Sequence, residues 1–317
     1  MKRFVHRAHG LVRSIPTRVI LAIKLALAVI TIAIVATMVD WRTVATDPWE
    51  LVPPIFAGFV VMLPAMMATA FRWKLLIGNE TPRHFSFLNA VRGWCLGLFL
   101  NMVVPGTVGG DVARAHYASV RAQIKYPYSL LVVFTERLFG LLSICLLGTI
   151  GLFVNDNLDR FTKAPAVQLA LAILLISTIV LAGISLIHRY SRISPRLFPL
   201  LLLLTIAGQS SDFLLVHFYG RVVSVDIPLA TLLLVLPLVF LATVLSLTPG
   251  GTGVREATLT ALLTLSGVPV SAAALVALML LLTKIGFGLI CGLAIFGGAA
   301  QLRKAVESLT AKSRSTG

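Results

Sequence analysis

The stretch that decides the fold is Asn101–His116, Asn-Met-Val-Val-Pro-Gly-Thr-Val-Gly-Gly-Asp-Val-Ala-Arg-Ala-His, which interrupts a nearly continuous succession of apolar segments. A related pattern returns at Leu247–Thr258, where Pro-Gly-Gly-Thr-Gly precedes Val-Arg-Glu-Ala. Non-helical backbone at membrane depth is tolerated only where protein covers it or where it lines a water-filled cavity. One glycine-rich break in each half of the chain therefore predicts a paired binding site near the middle of the bilayer.

The composition is that of a polytopic membrane protein. Of the 317 residues, 58% are hydrophobic and only 12% are charged, and the mean hydropathy is +0.95, values unlike those of a soluble domain. The three cysteines, Cys95, Cys145 and Cys291, lie in apolar runs without a Cys-x-x-Cys spacing. We therefore expect small buried thiols with no metal site and no disulfide. The predicted location is the cell (inner) membrane.

A formal net charge of +15 would fit a nucleic-acid-binding protein, but the distribution of the charge favours another explanation. Most Lys and Arg residues fall in alternate loops and in both termini, whereas acidic residues such as Asp47 and Asp156 fall in the loops between them. This positive-inside pattern places both termini in the cytoplasm and predicts no nucleic-acid partner.

The apolar segments predict an all-α membrane protein with six full spans and two re-entrant helical hairpins. The spans are Arg18–Val39, Leu51–Phe71, Ser129–Val154, Pro165–Ile187, Leu197–Tyr219 and Ala272–Gly297. One hairpin contains the first break and enters from the cytoplasm, and the other contains the second break and enters from outside. Arg72, Trp73 and Lys74, which follow the second span, are interpreted as an anchor at the inner interface.

This arrangement predicts an inverted repeat within a single integral membrane domain, residues 1–317. Residues 1–154 form the first half, residues 165–300 form the inverted second half, and residues 301–317 form a cytoplasmic tail. Each half holds three full spans, an odd number, so the second half is inverted relative to the first, as in many secondary transporters.

The breaks carry the residues of a candidate binding site. Their glycines permit unusual backbone angles and close approach of a ligand, and the half-helices expected to begin near Asp111 and Val254 offer free N–H groups to an anion. Arg114 and Arg255 are expected in the first turn of those half-helices, where a guanidinium can bind phosphate through two hydrogen bonds. The candidate substrate-binding residues are Asn101, Gly106, Gly110, Arg114, Arg137, Gly250, Gly251, Arg255 and Lys284.

Ionisable side chains inside apolar segments indicate a hydrated cavity, because each costs about 2.5–3.5 kcal/mol at the bilayer centre unless it is compensated. The candidate charge-balancing carboxylates are Asp111, Glu136, Asp212 and Glu256. One arrangement pairs Glu136 with Arg255 or Lys284 and leaves Arg137 to lipid phosphate.

Structural roles compete with these functional ones. Asp111 could cap a helix, Glu256 could complement a helix dipole, and the glycines could serve packing alone. Glu136 could form an ion pair between helices, and Asp212 could form interhelical hydrogen bonds.

Several enzyme motifs do not occur in the sequence. It contains no Gly-x-x-x-x-Gly-Lys-[Ser/Thr] loop, no Gly-x-Ser-x-Gly and no His-Glu-x-x-His, so direct use of ATP is not expected. We predict no cofactor and favour a transporter over an enzyme.

Three motifs together resemble the membrane domain of the lysylphosphatidylglycerol synthase/flippase family. They are Asn101…Pro105-Gly106…Gly110-Asp111-x-x-Arg114, the pair Glu136-Arg137 within a span, and Pro249-Gly-Gly-x-Gly-Val-Arg255-Glu256-Ala257. The family includes the flippase half of the multiple peptide resistance factor and stand-alone relatives. The resemblance implies lipid translocation, with re-entrant helices meeting at a central cavity. The sequence contains no counterpart of the cytosolic aminoacyl-transferase domain, so the resemblance leaves the transported lipid open.

These observations predict a flippase or scramblase that moves an anionic or zwitterionic lipid. Membrane lipids are the expected partners, and a homodimer is a possible assembly. Two alternatives stay open, namely a membrane-embedded lipid-modifying transferase and a membrane anchor or partner of a separate soluble lipid-modifying enzyme.

Overall fold

The computed structural model describes residues 17–40, 48–78, 81–103, 109–154, 176–177, 180–181, 183, 194–246 and 248–296. Every regular element within these residues is helical. The longer helices are α1 (Thr17–Thr37), α2 (Val52–Ile77), α3 (Phe87–Val103), α4 (Gly109–Ala122), α5 (Tyr126–Val154), α6 (Phe198–Val222), α7 (Leu229–Leu245), α8 (Val254–Leu265) and α9 (Val270–Phe296). Short 3-10 turns at Pro48–Leu51, Pro195–Leu197 and Pro249–Gly251 precede α2, α6 and α8.

Two of the long helices, α2 and α6, begin in the same way. Each follows a 3-10 turn, and each has proline within its first two positions. Proline is well tolerated there because its fixed φ suits a helix and its missing N–H group would have no partner within the helix. The same local sequence signal thus starts equivalent helices in the two parts of the chain.

Four helices in the described part of the chain are long and apolar enough to cross a bilayer, namely α2, α5, α6 and α9. Their length and hydropathy confirm a multi-pass helical membrane protein. The helix α1 coincides closely with the predicted first span Arg18–Val39. The count of six spans, their orientation and the re-entrant character of the hairpins stay predictions.

The packing of α2 to α5 recurs in α6 to α9. The pairs α3–α4, α4–α5 and α5–α7 are in contact, and so are the corresponding pairs α7–α8, α8–α9 and α9–α3. The helices α2 and α6 pack against each other and join the two sets. The contacts among α2 to α5 and α6 to α9 therefore stay the same when the two sets are exchanged. In each set, the long helix that follows the break, α5 or α9, packs against the helix that begins the hairpin of the other set, α7 or α3.

Glycines allow those hairpin contacts to be close. A Cβ atom on Gly151 in α5 would lie 2.6 Å from the backbone carbonyl carbon of Leu233 in α7. At the corresponding contact, a Cβ atom on Gly292 in α9 would collide with the ring of Phe99 in α3. Small residues at such positions let helices in membranes approach until their backbones touch.

The three cysteines are free and buried, as predicted. The expected inner anchor, in contrast, is wrong for two of its three residues. The helix α2 continues to Ile77, and Arg72 and Trp73 are 8% and 0% exposed. Arg72 can be buried there because a carboxylate compensates its charge.

Some predictions lie outside the described residues. These are most of the span Pro165–Ile187 and the tail at residues 301–317. Pro105 and Gly106 of the first break also lie outside.

Candidate functional site

The end of α3, which leads into the first break, lies against the second break. The helix α3 packs against the 3-10 turn Pro249–Gly251, and the backbone oxygen of Asn101 lies 3.4 Å from the position that a Cβ atom on Gly250 would take. These residues are far apart in the sequence. Contact between the two breaks themselves stays a prediction, because residues 104–108 lie outside the described residues.

A side chain of α3 forms a hydrogen bond with the start of α4, across the first break. Asn101 in α3 accepts a hydrogen bond through Oδ1 from the backbone N–H of Gly110, at 2.9 Å. The N–H groups in the first turn of a helix have no partner within it, so Asn101 satisfies one of them from the preceding helix. A Cβ atom on Gly110 would collide with the backbone oxygen of Gly97. Only glycine lets the start of α4 lie this close to α3.

The second break depends on three glycines with positive φ. Gly250, Gly251 and Gly253 have φ angles of +59°, +72° and +87°, values that L-residues other than glycine rarely adopt. Glu256 accepts a hydrogen bond at Oε2 from the backbone N–H of Gly253, at 2.6 Å. The carboxylate therefore lies at the positive end of α8 and satisfies one of its free donors.

The half-helix starts agree well with the prediction. The helix α4 begins at Gly109 and α8 begins at Val254. Arg255 lies in the first turn as expected, but Arg114 is the sixth residue of α4 and lies in its second turn. The guanidinium of Arg114 is consequently directed at a neighbouring helix rather than at the helix start.

Arg72, Arg114 and Glu136 form a buried ion-paired group, named here the arginine triad. Arg72 donates from Nη2 to Glu136 Oε1 at 2.7 Å, and Arg114 donates from Nη2 to Glu136 Oε2. Arg72 also donates from Nη1 to the hydroxyl of Thr205 at 2.7 Å. The triad joins α2, α4, α5 and α6, and the three charged side chains are at most 9% exposed.

A second ion pair lies next to the triad in sequence but is more open. Arg137 donates from Nε and Nη2 to Asp111 Oδ2 at 2.8 and 2.6 Å. The Arg137 side chain is 55% exposed, whereas Asp111 is 13% exposed. The pair fastens the start of α4 to α5, so Asp111 has a structural role at this position.

The second half carries Asp212, Arg255, Glu256 and Lys284, named here the lysine cluster. Lys284 in α9 donates to Asp212 in α6 at 2.7 Å. Arg255 donates from Nε to Oε1 of its neighbour Glu256 at 2.8 Å. Arg255 and Glu256 also act electrostatically on Lys284. The four side chains thus form a nearly buried group with equal numbers of positive and negative charges.

The comparison with known families gives one clear result. The sequence profile of the lysylphosphatidylglycerol synthase TM region matches residues 21–194 and 190–292. The chain belongs to this family. No curated protein matches the chain.

Membership of the lysylphosphatidylglycerol synthase TM family confirms the resemblance inferred from the motifs. It supports a lipid-related role in the membrane. The two matched ranges include every residue of the arginine triad and of the lysine cluster, as well as both breaks.

The predicted pairing of the charges is wrong for Glu136. Its partners are Arg72 and Arg114 rather than Arg255 or Lys284, and Arg137 is bound by Asp111. The helix α5 packs against α2 and α4, whereas Lys284 lies on α9 beside α6. The long helices therefore separate the charges into two groups, and the ion pairs of each group lie within its own set of helices.

Arg72 is the member of the site that sequence reasoning missed. It stands beside Trp73 and Lys74 at the end of an apolar run, a pattern typical of interfacial anchors. The signal that could have identified it is Glu136 itself, since it is the sole carboxylate within its long span and a buried carboxylate requires a cationic partner.

Proposed function

We propose that this protein moves lipids across the cell membrane, as a flippase or scramblase that does not use ATP directly. The head group would cross where the two breaks meet, while the acyl chains stay in the bilayer. The observation that carries the proposal is the contact between Asn101 and Gly250 with a buried charged group in each half of the chain.

A core that served stability alone would not need the buried charged side chains of the two groups. A charged side chain in the bilayer is costly, and a buried ion pair is often no more stabilising than well-packed apolar side chains. Two such groups beside a pair of helix breaks therefore suggest binding of a polar head group. The phosphate of the head group would be contacted by four cationic side chains, Arg114, Arg137, Arg255 and Lys284. When the head group leaves, these cations would form ion pairs again with the carboxylates of Asp111, Glu136, Asp212 and Glu256.

The breaks supply the remaining polar contacts. The start of α8 is formed by glycines without side chains, so a head group could reach backbone N–H groups there. In the resting arrangement Glu256 accepts from one such donor at the start of α8, and Asn101 accepts from one at the start of α4. A head group that displaced either acceptor would replace one hydrogen bond with another, which keeps the cost of its passage low.

The proposal is tested with the purified full-length chain in proteoliposomes that contain a fluorescent lipid. A membrane-impermeant reductant reports the rate at which the labelled head group changes leaflet. Arg255→Ala and Glu136→Ala should lower the protein-dependent rate by about tenfold or more. The matched control is Arg221→Ala, because Arg221 forms an ion pair of 3.4 Å with Asp226 in which both side chains are at least 65% exposed.

Two outcomes would overturn the proposal. One is a wild-type rate in both variants, which would remove the charged groups from transport. The other is a wild-type protein that translocates no lipid faster than empty vesicles, combined with loss of a lipid product in cells that lack the protein. That second combination would favour a lipid-modifying transferase.

A further inference from the structure

The arginine triad carries more positive charge than its partners compensate. Its two guanidinium groups face one carboxylate. The other buried or half-buried pairs in the described residues match one cation with one anion: Arg137 with Asp111, Arg255 with Glu256, and Lys284 with Asp212. Buried charges in proteins are nearly always paired. One unit of positive charge in the triad therefore calls for an additional anion.

Unused hydrogen-bond donors occur on both arginines of the triad and on two neighbouring aromatic side chains. The Nε atoms of Arg72 and Arg114, Nε1 of Trp73 and the hydroxyl of Tyr117 are buried and have no hydrogen-bond partner. Only one other side-chain atom in the described part of the chain shares this condition, the hydroxyl of Thr248 at the second break. Such groups are rare in native proteins, and an absent ligand, ion or water explains them.

The four donors belong to adjacent side chains. The guanidinium carbon of Arg114 lies 4.8 Å from the centre of a Trp73 ring. Trp73 and Tyr117 meet at Gly93, where a Cβ atom would lie 2.6 Å from Trp73 Cη2 and 2.9 Å from Tyr117 Cδ1. The missing side chain at Gly93 is what lets both rings pack against α3 at the same point.

The chemistry of these donors selects the ligand. Two guanidinium groups, an indole N–H and a phenol can all donate to an anion. A phosphate group offers several oxygen atoms in different directions, and guanidinium groups match its geometry. We propose that Arg72, Trp73, Arg114 and Tyr117 bind the phosphate of an anionic lipid head group, a refinement that rests on the proposed function.

The charge balance also separates anionic from zwitterionic lipids. A head group with one net negative charge neutralises the triad completely. A zwitterionic head group adds a cation, and the triad's carboxylate, Glu136, is already occupied at both oxygen atoms by Arg72 and Arg114. The site therefore prefers an anionic phospholipid such as phosphatidylglycerol to a zwitterionic one such as phosphatidylcholine.

The surface of α4 offers an approach to the site. Arg114, Tyr117 and Arg121 are spaced three and four residues apart, so they lie along one face of the helix. The guanidinium carbon of Arg121 lies 5.7 Å from the centre of the Tyr117 ring, and Arg121 is exposed. A phosphate could thus pass from an exposed arginine to the buried ones along a line of aromatic and cationic side chains.

The test uses the full-length protein in non-ionic detergent and measures the midpoint of thermal unfolding. Phosphatidylglycerol, phosphatidylcholine and inorganic phosphate are added in separate titrations. Phosphatidylglycerol should raise the midpoint, and phosphatidylcholine should do so far less. An equal shift with inorganic phosphate at the same phosphate concentration would assign the site to free phosphate and overturn the lipid assignment.

Two variants remove the unused donors of the aromatic side chains. Tyr117→Phe deletes only a buried hydroxyl without a partner, so the midpoint of the lipid-free protein should stay unchanged or rise slightly. Trp73→Phe also leaves a cavity at a fully buried position, so its lipid-free midpoint should fall. Each should raise the phosphatidylglycerol concentration for half-maximal stabilisation by about tenfold. If both variants reached half-maximal stabilisation at the same phosphatidylglycerol concentration as the wild type, the proposed site would be refuted.

Tyr219→Phe is the matched control. The Tyr219 hydroxyl is hydrogen-bonded to Thr283 at 2.5 Å, and this pair joins α6 and α9 away from the triad. The substitution should lower the midpoint of the lipid-free protein and leave the response to phosphatidylglycerol unchanged. If phosphatidylglycerol no longer raised the unfolding midpoint of Tyr219→Phe, the midpoint shift would depend on general stability. The shift would then no longer support the proposed site.

The transport assay separates this inference from the proposed function. If the protein translocates labelled phosphatidylcholine as fast as labelled phosphatidylglycerol and binds neither lipid preferentially, the proposed function stands and the anionic site is refuted. If phosphatidylglycerol binds with the expected response to Tyr117→Phe but no lipid changes leaflet, the site stands and the transport function is refuted.

Discussion

The backbone oxygen of Asn101 lies 3.4 Å from the place of a Cβ atom on Gly250, although the two residues belong to different halves of the chain. Asn101 also binds the start of α4, and Gly250 lies in the turn that leads to α8. Asn101 thus contacts both the helix start that follows the first break and the turn of the second break. A change in either hairpin would be transmitted directly to the other, because packed backbone cannot deform gradually.

The turn at the second break should not tolerate a side chain at Gly251. This residue has φ +72°, and a Cβ atom would collide with Cγ2 of Thr243 in α7. Gly251→Ala should destabilise the protein by about 2–5 kcal/mol, the sum of a left-handed backbone and overpacking. Thermal unfolding in detergent measures the effect.

Gly78 provides the control for that substitution. It has φ +86°, but nothing lies within 4 Å of its Cβ position. Gly78→Ala should cost only the backbone part, about 1–3 kcal/mol, because φ +86° with ψ 169° lies in a region that is essentially confined to glycine. Equal losses in the two variants would show that the contact with Thr243 contributes nothing.

Glu136→Gln should be among the most damaging single substitutions in the chain. It leaves Arg72 and Arg114 buried with no negative partner, and breaking a buried ion pair from one side costs about 3–5 kcal/mol. Asp226→Asn is the exposed counterpart, since the Asp226 side chain is 70% exposed, and should change stability little. An unchanged unfolding midpoint in Glu136→Gln would contradict the burial and pairing of the triad.

A double-mutant cycle should show strong coupling between Asp212 and Lys284. Asp212→Asn and Lys284→Gln should each destabilise the protein, and the double variant should lose less than the sum, with a coupling of about 1–3 kcal/mol. The two side chains are 11% and 20% exposed. A parallel cycle on Arg221 and Asp226, which are largely exposed, should give about 0–1 kcal/mol. Strict additivity at the buried pair would argue against the ion pair.

The side chain of Asn101 should matter as a hydrogen-bond acceptor. Asn101→Ala removes the partner of the Gly110 N–H and should cost about 1 kcal/mol, as loss of a helix cap does. Asn101→Asp keeps an acceptor oxygen at the positive end of α4 and should be less destabilising. The measurement compares the unfolding midpoints of the two variants and the wild type in the same detergent. If alanine proved as stable as the wild type, the cap would be unimportant.

The sequence alone predicted the helix starts and the unusual backbone angles of the second break's glycines well, whereas Gly110 has no positive φ and serves close approach to α3 instead. Gly250 and Gly251 follow proline, and Val254 begins a periodic apolar run, so the local chain has few alternatives there. The apolar lengths of α2, α5, α6 and α9 were likewise recognisable, because the thickness of a bilayer fixes how many residues must be apolar. The family could be inferred from the motifs that surround these glycines.

The charge pairing could not be predicted in the same way. Arg72 and Glu136 are separated by 64 residues, and Asp212 and Lys284 by 72 residues. Arg72 looked interfacial because its neighbours Trp73 and Lys74 are typical of a membrane boundary. Its actual place depends on how far α2 is rotated toward α5, and nothing in the local sequence specifies that rotation.

By itself, the sequence determined that the chain is a helical membrane protein with two glycine-rich breaks, since hydropathy and backbone freedom are properties of neighbouring residues. Only the tertiary structure decided that the end of α3 contacts the second break, that Glu136 binds two arginines, and that Lys284 has its own carboxylate. The reason is physical: in a membrane each buried charge must find a partner, and which partner is within reach depends on the packing and rotation of helices far apart in the chain.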